Sequence, residues 1–113
     1  MFVTISLLLA AACLLPAAGK LAGHPKMRQS AAHFQIPWPR YRLIGAAELA
    51  AAAGVLAGLW WHPLGVAAAA GMALLLLGAL IAHRRAADDG KEMAPALIAL
   101  AITVAYLAIA LTR

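Results

Sequence analysis

Three ionisable side chains lie within or at the ends of long apolar segments, and their types suit ligand binding or proton transfer. Glu48 follows the start of an apolar run at Tyr41 by seven residues, which places it about 10 Å inside a helix. A bare carboxylate at that depth is costly unless it is protonated or paired. Lys20 and His83 end two other apolar runs and are the candidate partners. Together they could bind a ligand, relay protons through the imidazole, or only fix helix packing through an ion pair.

Other kinds of site find little support in the sequence. Cys13 is the only cysteine, so neither a disulfide within the chain nor a Cys-x-x-Cys redox pair can form. Asp88 and Asp89 stand beside arginines and are interpreted as a solvated loop. The remaining histidines show no metal-type spacing, and we predict no metal site: His24, His33 and His62.

The elements that position these residues are apolar helices. The chain has 113 residues, of which 65% are hydrophobic and 12% charged, whereas soluble domains are about 25% charged. Four segments approach the roughly 20 apolar residues that a spanning helix needs, and strand edges cannot face lipid. We therefore predict an all-α integral membrane four-helix bundle forming one domain, with helices at about 2–22, 41–60, 63–83 and 94–111. No Lys or Arg precedes the first segment, so we expect a retained helix and not a cleaved signal.

The basic residues indicate an orientation in the membrane. The net charge of +5 comes largely from the first and third connections, residues 23–40 and 84–93. Lys and Arg mark the cytoplasmic side, so both connections are predicted there and both termini outside. This placement accounts for the positive net charge, so nucleic acid is not an expected partner. The expected partner is the lipid bilayer.

The first connection contains a pattern of its own. Met27, Ala31 and Phe34 follow one another at helical spacing, which predicts a short helix at about 26–35 lying in the inner interface. An irregular loop is the alternative.

The second apolar segment carries small residues that favour close helix packing. Gly45 is one, and four more recur at intervals of four: Ala46, Ala50, Gly54 and Gly58. This ridge would serve packing within the bundle or a homodimer.

Three short motifs resemble those of the DoxX-like family: Ala18-Gly19-Lys20-Leu21, Arg42-x-x-Gly45-x-x-Glu48-Leu49 and Gly78-Ala79-x-x-x-His83. Their order and spacing cover almost the entire chain. The resemblance implies a small four-helix membrane protein of bacteria, with Lys20, Gly45, Glu48 and His83 as signature positions. The family takes its name from a membrane subunit linked to thiosulfate oxidation with quinone as acceptor.

The resemblance leads us to expect a multi-pass protein of the bacterial cytoplasmic membrane. It would be a redox accessory subunit or a component that binds a quinone or lipid, with a membrane or cytoplasmic redox protein as partner. The isolated chain, with no cysteine pair, is not expected to be an enzyme. A stand-alone membrane oxidoreductase remains an alternative. So does a small proton-coupled multidrug-type exporter, although its glutamate would belong in the first helix and not the second.

Overall fold

The described part of the chain is almost entirely helical. The structure is a computed structural model and describes residues 1–88 and 90–112. Over these residues it contains helices and turns but no strand. The helices are α1 (Phe2–Ala22), α2 (Pro25–His33), α3 (Trp38–Ala57), α4 (His62–Arg85) and α5 (Gly90–Leu111). The all-α prediction is confirmed, with five helices in the described residues because a short α2 forms where an irregular loop was the alternative.

Two long helices begin earlier than their apolar segments suggested. α3 begins at Trp38 with a proline in its first turn, because the missing N–H of proline has no partner to lose there. α5 begins at Gly90 and not at about 94, so Pro95 lies inside the helix. In both α3 and α5, polar residues form the first turns, ahead of the apolar segment. A hydropathy pattern alone does not detect these turns.

The four long helices form a closed bundle with α1, α3, α4 and α5 in ring order. α1 packs against α3 and α5, and α4 packs against the same two helices. Neighbours are therefore antiparallel, as expected for an up-and-down bundle. The centre is filled by side chains with almost no exposed surface: Leu9, Cys13, Val55, Met72 and Tyr106. α2 crosses one end of this bundle and contacts α1 and α3.

The bundle has the dimensions and composition of a membrane protein. Its longest extent is 41 Å, close to the roughly 40–45 Å of a bilayer with its headgroups. Within the described residues, three segments are long and apolar enough to cross a membrane: Phe2–Ala22, His62–Arg85 and Glu92–Leu111. α3 is 20 residues long but carries Arg40, Arg42 and Glu48, so its composition alone does not support spanning.

The small-residue ridge of α3 is only partly inside the bundle. A Cβ on Gly54 would lie 2.6 Å from Cβ of Ala68, and one on Gly58 would lie 2.5 Å from Cα of Gly65, so both glycines let α4 approach. Ala46 and Ala50 are exposed instead. Steps of four residues drift by about 40° around a helix, so a ridge of this spacing turns away from the neighbour it first meets.

Candidate functional site

Lys20 and Glu48 form a buried ion pair between α1 and α3. Lys20 Nζ donates a hydrogen bond to Glu48 Oε1 at 2.5 Å, and the two side chains are 10% and 7% exposed. The ammonium also lies 5.0 Å from the centre of the Tyr41 ring, whose face attracts a cation. Each charge thus compensates the other in surroundings where either alone would be strongly destabilising.

Gly45 makes this pair possible by letting α1 come close. A Cβ at Gly45 would lie 2.7 Å from Cβ of Lys20 and 3.5 Å from the carbonyl oxygen of Ala17. Because the nearest atom is next to the Lys20 backbone, any side chain at position 45 would push the two helices apart. The glycine therefore sets the separation at which the lysine reaches Glu48.

His83 binds a different carboxylate from the one the sequence suggested. Its Nδ1 lies 2.6 Å from Oδ2 of Asp88, while Nε2 of His33 lies 2.6 Å from Oδ1 of the same group. The structure thus brings Lys20 and Glu48 together but places His83 in a second cluster. The Asp88 side chain is only 4% exposed, so its interpretation as a solvated loop residue was wrong. Asp89 lies outside the described residues.

Two tight helix ends create this second cluster, which we call the histidine–aspartate cluster (His33, His83 and Asp88). After α4, Ala87 adopts a left-handed conformation (φ 60°) and the Asp88 N–H donates to the carbonyl of His83 at 2.9 Å. After α2, Gln35 does the same (φ 57°), and the Ile36 N–H closes on the carbonyl of Ala31 at 2.9 Å. Both reversals follow the Schellman pattern, here with non-glycine residues in the left-handed position.

The electrostatics of the cluster keep Asp88 ionised. Burial of its carboxyl group opposes the charge, but hydrogen bonds with Glu92, His33 and His83 and the charge of His33 outweigh it, so the pKa of Asp88 falls to about 2. A carboxylate can only accept hydrogen bonds. His33 therefore donates from Nε2 and His83 donates from Nδ1.

An open groove adjoins the cluster at the same end of the bundle. It has a volume of about 490 Å³ between the end of α2 and the last turns of α4. We call it the α2–α4 groove. Its apolar wall includes Phe34, Ile36, Gly78, Ile81 and Ala82, and its polar members are His33, Gln35 and Arg85. The Phe34 ring packs edge-on against the His83 ring, with centroids 4.9 Å apart.

His33, Asp88 and Arg85 were not selected as site residues by the sequence. His33 and Asp88 are separated by 55 positions. His33 ends α2 and Asp88 follows α4, and no periodic pattern in the sequence relates these two places. The one signal that could have suggested this contact was the predicted short helix in the first connection. Its C-terminus lies beside the basic connection that follows α4.

The family comparison agrees with the motifs. The model of the DoxX-like family matches residues 4–106. The chain belongs to the DoxX-like family. No curated protein and no solved structure matches it. In this DoxX-like chain, three of the four positions that the resemblance singled out, Lys20, Gly45 and Glu48, meet at a single helix crossing.

Proposed function

We propose that this protein is a four-span accessory component of the bacterial cytoplasmic membrane that binds a quinone in the α2–α4 groove. The observation that carries the proposal is the groove itself, about 490 Å³ in volume, at one end of helices with membrane-spanning composition. Ligand sites of this size combine apolar walls with a few placed polar groups, and this groove offers both. A quinone has the matching chemistry, with an apolar ring and tail and two carbonyl oxygens that accept hydrogen bonds.

Each wall of the groove has a role in this proposal. Phe34, Ile36 and Ile81 cover the ring and the start of the tail, which continues into the lipid. Arg85 supplies N–H donors for the carbonyl oxygens. The basic connections favour a cytoplasmic position for this end of the bundle, where a soluble or membrane redox protein would exchange electrons with the bound quinone.

The Lys20–Glu48 pair supports the site indirectly. It joins α1 to α3 near the end of the bundle on which α2 lies. α2 in turn holds Phe34 over the groove. The pairing also favours a binding component over a proton-coupled exporter, because an exporter needs a carboxylate that its substrate can reach, and this one is 7% exposed on its side chain.

A substitution that fills the groove tests the proposal. Gly78 lines the groove, and a Cβ built there meets nothing within 4 Å, so the side chain of Gly78→Leu begins in open space and adds volume to the groove wall. Gly71 offers the matched control, since it is equally unobstructed, lies two turns away on the same face of α4, and does not line the groove. Both proteins would be placed in nanodiscs with a short-tailed ubiquinone and analysed by native mass spectrometry and calorimetric titration.

We expect the wild type and Gly71→Leu to bind one quinone each, and Gly78→Leu to bind at least tenfold more weakly. Equal binding by all three proteins, or no binding by the wild type, would refute the groove as a quinone site.

A further inference from the structure

The histidine–aspartate cluster has a feature that quinone binding does not use. Single ligand atoms from His33, Asp88 and Glu92 all lie within 4.8 Å of one another. They come from the end of α2, the connection before α5 and the first turn of α5. One imidazole nitrogen and two carboxylate oxygens thus converge from three elements, although the sequence predicted no metal site.

We infer that His33, Asp88 and Glu92 form a binding site for a divalent transition-metal ion of the Zn²⁺ type. Imidazole suits Zn²⁺ and related ions, and carboxylates complete such sites. Three protein ligands leave a further position for water, which is the pattern of an open site and not of a closed structural one.

His83 supports the site from behind its ligands. It donates from Nδ1 to Oδ2 of Asp88 at 2.6 Å, on the oxygen opposite the one that faces His33. A hydrogen bond of this kind fixes the orientation of a ligating carboxylate and tunes its donor strength. His83 is therefore a positioning residue, with Asp88 held in place by both its backbone and its side chain.

Access and charge both permit an ion to enter. The His33 side chain is 49% exposed, and Glu92 lies at the surface. The ion takes the place of the protons shared within the cluster, and the two carboxylates then offset the charge of a divalent cation. Once bound, the ion would tie the end of α2 to the start of α5.

The test is calorimetric titration of untagged, chelator-treated protein with Zn²⁺ in mild detergent, with excess Mg²⁺ as competitor. We expect one Zn²⁺ per chain, little competition from Mg²⁺ because it favours six oxygen ligands, and at least tenfold weaker binding in His33→Ala and in Glu92→Gln. His62→Ala is the matched control, since His62 begins α4 at the opposite end of the bundle, and it should bind as the wild type does.

A second readout does not depend on any variant. Co²⁺ bound by one nitrogen and two oxygens plus water should give a visible absorption band in the wild type, and Zn²⁺ should displace it. Absence of Zn²⁺ binding by the wild type would overturn the inference. So would His33→Ala binding as tightly as His62→Ala while both retain the helical circular dichroism of the wild type.

Discussion

At the scale of residues, the Lys20–Glu48 pair should behave as a structural unit. Glu48→Gln leaves the Lys20 ammonium buried without its counter-charge, so we expect a loss of about 3–5 kcal/mol in the free energy of unfolding. The measurement is reversible unfolding in mixed micelles, followed by far-UV circular dichroism.

The matched control for that loss is the double variant Lys20→Met with Glu48→Leu. It removes both charges and keeps similar side-chain volumes, so it should recover most of the stability. If Glu48→Gln is as stable as the wild type, the pair does not hold α1 against α3.

Gly45→Ala should separate the same two helices. Its new Cβ would lie 2.7 Å from Cβ of Lys20, and overpacking of this kind costs about 1–3 kcal/mol of unfolding free energy. Gly71→Ala, where a Cβ meets nothing within 4 Å, should lose none. The same unfolding assay compares them, and equal stability of the two variants would contradict the close approach at position 45.

The sequence revealed one of the two polar clusters. A lone glutamate in an apolar helix requires a partner, and a lysine at the end of the preceding apolar run is a natural one, so the pair could be foreseen. His83 also required a partner, but Asp88 reaches it only because Ala87 turns back in a left-handed conformation. Alanine seldom adopts that conformation, and the residues around Ala87 do not predict a left-handed turn there.

At the scale of elements, the turn after α4 holds strain that can be relieved. Ala87 has φ 60°, which costs an L-residue roughly 1–2 kcal/mol relative to glycine. We expect Ala87→Gly to raise the unfolding free energy by about 1 kcal/mol. Ala86→Gly is the neighbouring control, because Ala86 has φ −84° and gains nothing from glycine. A loss of stability in Ala87→Gly would show that the turn is not strained.

The helices themselves were largely predictable, and their arrangement was not. Long apolar segments identified α1, α4 and α5, and the spacing of Met27, Ala31 and Phe34 indicated α2, whose Ala31 is buried. The ring order depends on which small residues allow close approach. Gly45 admits α1 while Gly54 and Gly58 admit α4, a distinction that hydropathy cannot make because all three are small residues of one helix.

At the scale of the whole molecule, the proposed four-span topology can be tested with single cysteines. Cys13 has no exposed surface and should not react with a membrane-impermeant maleimide, so the native chain is a silent background. Gln29 on α2 and Thr112 after α5 are exposed. In intact cells we expect Thr112→Cys to be labelled and Gln29→Cys to be protected, with the reverse in inside-out vesicles. Labelling of both from the same side would exclude an odd number of spans between them, and with it the three crossings by α3, α4 and α5.

The buried ion pair also bears on how the chain enters the bilayer during synthesis. In the proposed topology α1 leaves the ribosome before α3, and a long lysine side chain such as Lys20 can keep its ammonium among the inner headgroups. α3 follows with Glu48, and a charged residue near the centre of an isolated inserting helix costs about 2.5–3.5 kcal/mol. Pairing with Lys20 offsets much of that cost, so the translocon should release α1 and α3 into lipid together, as a hairpin closed by α2.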